Sequence, residues 1–112
     1  MVAYSNEAKE NILKVPKATM IDNGAVSKET AEAMASGARE LFGADVSVSV
    51  TGIAGPGGGT DAKPVGLVWV GVSTKDGTFA KKFNFEGNRE RIRKSAVESA
   101  LKLLIETINH LG

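Results

Sequence analysis

The sequence predicts an α/β fold, a three-layer α/β/α sandwich on a mixed sheet, and three observations carry that expectation. In one stretch Ala31, Met34, Ala35, Ala38, Leu41 and Phe42 recur three and four residues apart, the spacing of one helix face. It is followed by strand patterns: the alternation Val46-Ser47-Val48-Ser49-Val50, then Val65 to Val72, which is apolar on both sides. The chain closes on a long segment, Arg89 to Leu111, where Ile92, Ala96, Val97, Ala100, Leu103, Leu104 and Ile108 make a broad apolar face. Helical segments on either side of strands in the chain must cover the faces of one sheet.

Taken in order, Val2 and Tyr4 are strand formers before a polar Ser5-Asn6 pair, so residues 1–4 read as the end of a strand. Ser5 or Asn6 caps a short helix through about Leu13, and Val15-Pro16 ends it, because the residue before proline avoids helical angles. A further helical turn is expected from Pro16 to Ile21, stopped by Asn23-Gly24. Ser27 opens the clearest helix and Gly43 stands where a left-handed cap belongs. Asp45 to Val50 forms a strand with its valines on one face; its serines are small enough to lie beneath a helix. Val65 to Val72 is expected to be a central strand with Trp69 in the core, joined through Lys75-Asp76-Gly77 to an antiparallel partner, Thr78 to Phe85. On that partner Phe79, Lys81, Phe83 and Phe85 share a face, and Gly87-Asn88 then stops the strand and caps the last helix.

Composition narrows the function. The 112 residues, 42% hydrophobic and 24% charged, suit one domain over residues 1–112. The longest apolar run falls far short of the roughly 20 residues that cross a bilayer, and no basic-then-apolar leader opens the chain. Absence of cysteine excludes disulfides and thiolate metal sites. A balance of 14 Lys+Arg against 13 Asp+Glu provides no field for general nucleic-acid binding. The expectation is a cytoplasmic domain with neither a membrane nor a nucleic-acid partner.

The 13 glycines are unevenly placed: five fall in the 14 residues from Thr51 to Pro64, between two strands. A connection this long without its own secondary structure is uncommon in a compact domain. Glycines leave backbone N–H groups free to approach an anion, with Thr51, Thr60 and Lys63 nearby. Neither Gly-Lys-Ser/Thr nor GxGxxG opens a helix here, so the segment reads from its residues alone as a ligand loop or a flexible connector. Lys9, one turn after Ser5, lies where partial burial and the positive helix end would disfavour its charged form. The residues alone still favour a solvated helix lysine for Lys9 and a half-buried strand residue for Tyr4. Arg89, Arg91, Arg93 and Lys94 oppose the dipole of the last helix; Arg89 and Arg93 are candidates for an anion or a partner subunit, with ordinary salt bridging as the alternative. His110 is expected to be exposed near the C-terminus.

Three stretches together carry a family resemblance. Val2-Ala3-Tyr4-Ser5-Asn6-Glu7-Ala8-Lys9, Gly24-Ala25-Val26-Ser27, and Thr51-Gly52-Ile53-Ala54-Gly55-Pro56 with Lys63-Pro64-Val65-Gly66 resemble the C-terminal domain of the competence/damage-inducible CinA proteins, also known as nicotinamide mononucleotide deamidases. The likeness runs to Gly87-Asn88-Arg89 and the last helix, with Gly57 standing where the family usually has an acidic residue. It implies hydrolysis of the carboxamide of nicotinamide mononucleotide to nicotinic acid mononucleotide and ammonia, with no metal or organic cofactor. It also implies Lys9 as base, Tyr4 as its hydroxyl partner, Asn6 as a positioning residue, and Thr51, Gly52, Ile53, Ala54 and Gly55 around the nucleotide, with Arg89 a candidate for phosphate or interface. The family's serine nucleophile lies in a Glu-Ser-x-Thr-Gly-Gly segment, and none of the chain's serines stands in one. The resemblance thus implies a domain incomplete at its N-terminus, impaired as an enzyme and prone to form homo-oligomers; the alternative is a noncatalytic nucleotide-binding or regulatory module.

Overall fold

A computed structural model of the chain describes residues 24, 26–53 and 64–111. In order these form helix α1 (Lys28–Phe42), strands β1 (Val46–Gly52), β2 (Leu67–Thr74) and β3 (Gly77–Asn84), and helix α2 (Arg89–Leu111). The strand expected over residues 1–4 and the two short helical pieces before Gly24 lie outside the described residues.

Helix α1 forms between the two caps that its sequence offers. Ser27 is extended and its Oγ accepts from the Thr30 N–H at 3.2 Å, while Gly43 turns left-handed and donates to the carbonyl of Glu40. Ser27 does more than cap, since its hydroxyl also donates to the Gly24 carbonyl at 3.0 Å. Ser27→Ala is therefore expected to cost about 1–2 kcal/mol, toward the upper end for a cap. Chemical denaturation checks this, and an unchanged midpoint would show that the cap contributes nothing.

The sheet runs β1-β2-β3 with both pairs antiparallel. A mixed sheet needs a parallel neighbour; the described strands have none, and the strand expected to supply one lies outside them. Register divides the residues into two faces. Val46, Val48 and Val50 pair with Thr74, Val72 and Val70, whereas Ser47, Ser49 and Thr51 pair with Ser73, Gly71 and Trp69. Helix α2 lies on the valine face, where Ile92, Ala96, Ala100 and Leu103 bury Val68, Val70 and Val72. Helix α1 lies on the other face, and the hydroxyls of Ser47 and Ser49 donate to its Ala35 and Ala31 carbonyls. The three layers of the α/β/α fold follow, with β2 covered on both sides as its apolar sequence requires.

Close approach of α1 depends on small residues. Ala31 and Ala35 are fully buried, and Gly71 faces them where an added Cβ would overlap the Ala31 carbonyl. Four expectations are corrected. Strand β2 starts at Leu67 rather than Val65, because Leu67 N donates to the Pro64 carbonyl and closes a turn. Leu41 and Phe42 are exposed rather than core: Ala35 already sits over Ser47, one residue from the start of β1, so the last turn of α1 runs past the sheet. Trp69 is half-buried, pairing with Thr51 beside the end of the layer where α1 begins. On α2, Val97 and Ile108 are exposed, which makes the buried face narrower than the apolar pattern. No described helix is long and apolar enough to cross a membrane.

Candidate ligand-binding site

The antiparallel register brings the C-terminal end of β1, the start of β2 and the end of β3 together, pairing Gly52 with Val68 and Leu67 with Asn84. Beyond these pairs the ladder continues for one more step. Ile53 N donates to the Leu67 carbonyl at 2.9 Å, Gly66 N to the Ile53 carbonyl at 2.7 Å, and Phe85 N to the Gly66 carbonyl at 2.9 Å. The glycine-rich segment thus leaves from Ile53 and returns to a fixed base at Pro64–Gly66, the whole of 54–63 lying outside the described residues. Gly66 is the keystone of that base. Its φ of +97° belongs to the region glycine favours, and an added Cβ would overlap the Phe85 carbonyl oxygen.

Helix α1 runs antiparallel to β1, because Ala31 meets Ser49 and Ala35 meets Ser47. Its N-terminal turn accordingly points to the same end of the sheet as Thr51 and Gly52. Two hydroxyls brace that turn from outside: Ser27 Oγ and Thr30 Oγ1 both donate to the Gly24 carbonyl, the latter at 2.6 Å, and Thr30 is fully buried. Helix α2 begins at this end as well, after a four-residue connection from β3, with Asn88 Oδ1 accepting from the Arg91 N–H at 2.9 Å. Two helix N-termini, each with a partial positive charge, therefore flank the exit of a glycine-rich segment.

Four of the site residues expected from sequence fall at this end. Thr51 is buried on the α1 side, Gly52 exposed, Ile53 half-buried, and Arg89 exposed in the first turn of α2 on the opposite side. Tyr4, Asn6, Lys9, Ala54 and Gly55 lie outside the described residues. Sequence reasoning passed over Thr30, whose signal was a hydroxyl three residues after the capping Ser27, and it left Gly66 as a motif member without a role. A separate hollow lined by Ser36, Arg39, Glu40, Gly43 and Ala44 sits at the far end of α1 and holds none of the expected residues. Among the described residues, no three of His, Asp and Glu gather in a metal-binding arrangement.

A sheet covered on one face by α1 and on the other by α2, with both helix N-termini at the end where Ile53 and Gly66 close the ladder, is a layered α/β/α domain. Within that class the chain belongs to the CinA C-terminal domain family, whose profile matches residues 1–108. A CinA-like protein of Endomicrobium trichonymphae is 53% identical over 104 residues, which are 93% of this chain and 24% of that relative. Among solved structures, the competence/damage inducible protein CihA of Agrobacterium tumefaciens superposes with a TM-score of 0.90 at 42% identity, over 94% of this chain and 65% of that one. The competence damage-inducible protein A (ComA) of Klebsiella pneumoniae gives 0.91 at 38% identity, over 97% and 68%. The chain thus spans about a quarter of the curated relative and about two thirds of each solved one.

Proposed function

We propose that the glycine-rich end of the sheet binds nicotinamide mononucleotide, and that the domain belongs to an amidohydrolase that converts its carboxamide to a carboxylate with release of ammonia. One observation carries this reading: the family match over residues 1–108 includes a glycine-rich segment whose base is clamped at Ile53 and Gly66, beside two helix N-termini. Backbone N–H groups there suit a phosphate or a developing oxyanion, and Arg89 supplies a charge at the same end. In the reaction a serine hydroxyl attacks the carboxamide carbon, Lys9 takes the hydroxyl proton, and Tyr4 relays a proton to the departing ammonia. Water then cleaves the acyl-serine. Asn6 orients the carboxamide.

A second reading is a nucleotide-binding module without catalysis, since the clamped base at Ile53 and Gly66 and the two helix N-termini serve binding by themselves. The 112 residues hold no Glu-Ser-x-Thr-Gly-Gly segment, so the nucleophile of the first reading is not among them. The two readings make one joint prediction for this chain: calorimetry detects nicotinamide mononucleotide, and ammonia release stays at the blank. Nicotinamide riboside, which lacks the phosphate, is expected to bind roughly tenfold more weakly or worse, as is the mononucleotide to Arg89→Gln, since a charged hydrogen bond of this kind is worth about 1.5–3 kcal/mol. Absence of binding to the wild-type chain would refute the site. Turnover that survives Lys9→Ala would refute the base.

A further inference from the structure

At the end of α1 away from the glycine-rich segment, Ser36, Arg39, Glu40, Gly43 and Ala44 line an open hollow of about 430 Å³. Small-molecule sites span roughly 300–1,000 Å³, so the space suffices for a compact ligand. At about 100° per residue, the lining positions of α1 centre roughly 110° from the side where Ala31 and Ala35 meet the sheet. The hollow therefore opens on the flank of the helix. Its backbone end is fixed, because Ala44 N donates to the Arg39 carbonyl at 3.0 Å and Gly43 N to the Glu40 carbonyl at 3.3 Å.

Arg39 is half-buried and its Nε–H is enclosed, with no acceptor for it among the described residues, where no other side chain has a buried donor or acceptor left unmet. A cation in the last turn complements the helix dipole, but that asks only for charge. It does not account for a guanidinium donor closed off from water without a partner, an arrangement with a standing cost. Glu40 lines the same hollow with an exposed side chain, and no ion pair joins it to Arg39. The hollow thus holds a cation, an anion, the Ser36 hydroxyl and the negative end of α1. A simple anion would be attracted by Arg39 and repelled by Glu40 and the helix end; a simple cation meets the reverse. We propose that this hollow binds a free α-amino acid by the two charged groups that all such molecules share. The carboxylate accepts from the Nε–H and Nη–H fork of Arg39 and from the Ser36 hydroxyl, and the ammonium donates to Glu40. A small turn of the guanidinium brings Nε–H to the carboxylate, so binding exchanges an enclosed, unmet donor for a paired one. The length of α1, 15 residues or roughly 20 Å, separates this site from the glycine-rich segment, and it does not depend on the function proposed there.

Proton–nitrogen NMR spectra of the full 112-residue chain test this through the Arg39 Nε–H signal, which reports on the atom itself and is identified by its loss in Arg39→Lys. Glycine is the probe, because it carries the two charged groups and no side chain. It is expected to shift the signal downfield and saturably, with a dissociation constant on the order of 1 mM. Acetate, which lacks the ammonium, is expected to bind roughly fivefold more weakly, and methylammonium, which lacks the carboxylate, to leave the signal in place. Arg39→Lys keeps the charge but not the fork, and is expected to weaken glycine roughly tenfold, as read from the backbone amides of Ser36 and Gly43. Glu40→Gln is expected to weaken glycine roughly threefold while acetate binds at least as well as to the wild type. Glu40 is exposed, so unchanged amide shifts elsewhere will show that this variant keeps its fold. Three results overturn the proposal: an Arg39 signal that ignores glycine up to about 50 mM, a signal that acetate or methylammonium moves as readily as glycine does, or a Glu40→Gln variant with wild-type affinity for glycine.

Discussion

Gly71→Ala is expected to lower the unfolding free energy by about 3 kcal/mol, at the upper end for overpacking a closely fitted interior. Gly71 stands opposite Ser49 on β1 and Ala80 on β3, at the middle of the sheet. An added Cβ there would lie 2.6 Å from Ser49 Oγ and overlap the carbonyl of Ala31, so it strikes both partners of the bond that ties β1 to α1. Neither partner is a flexible side-chain end that could swing away: one is helix backbone and the other a short hydroxyl held by it. The helix must lift, and Ala31 and Ala35, both fully buried, then lose contact together. Urea denaturation reads the effect, and a midpoint equal to wild type would mean that α1 stands farther from the sheet than described.

Gly66→Ala is expected to cost about 2–4 kcal/mol and to abolish nucleotide binding as well. Two effects combine. A backbone at φ +97° is strained for alanine, by about 1–3 kcal/mol, and the methyl group would overlap the Phe85 carbonyl. Relief of either breaks the bonds that hold Ile53, Gly66 and Phe85 in line, and with them the base of the glycine-rich segment. Stability and binding are separable here, because calorimetry can be run at a temperature where Gly66→Ala and Gly71→Ala are both folded. Gly71→Ala, whose damage lies at the centre of the sheet, is expected to retain more affinity than Gly66→Ala. The opposite order would detach the segment's base from ligand binding.

Much of this architecture could be read from the sequence, for reasons that particular residues make plain. Ser27 and Gly43 bracket α1 because capping is local chemistry, settled within a few residues of the chain. The Val/Ser alternation of β1 announced two unlike faces, and the serines do lie under a helix. What remained hidden depends on which neighbour covers a residue, a long-range matter that periodicity does not encode. Leu41, Phe42, Val97 and Ile108 are as apolar as Ile92, yet only Ile92 meets the sheet. The candidate site divides in the same way. Glycine content marked the 51–64 segment, but only the register shows that the start of α2, and hence Arg89, comes to the same end of the sheet as the start of α1.

The two serine bonds to α1 have a further consequence. Ser47 and Ser49 are two residues apart on a strand, a distance of about 6.7 Å. Their acceptors, Ala35 and Ala31, are four residues apart on a helix, about 6 Å. The two spacings are nearly commensurate, so the pair works like teeth on a rack. A slide by one residue would rotate the carbonyls away from both hydroxyls, and both bonds could re-form only after a whole helical turn. The braced turn at Ser27 and Thr30 therefore has no continuum of positions beside the glycine-rich segment, only indexed ones, and the geometry of that end of the molecule is set by counting residues along α1.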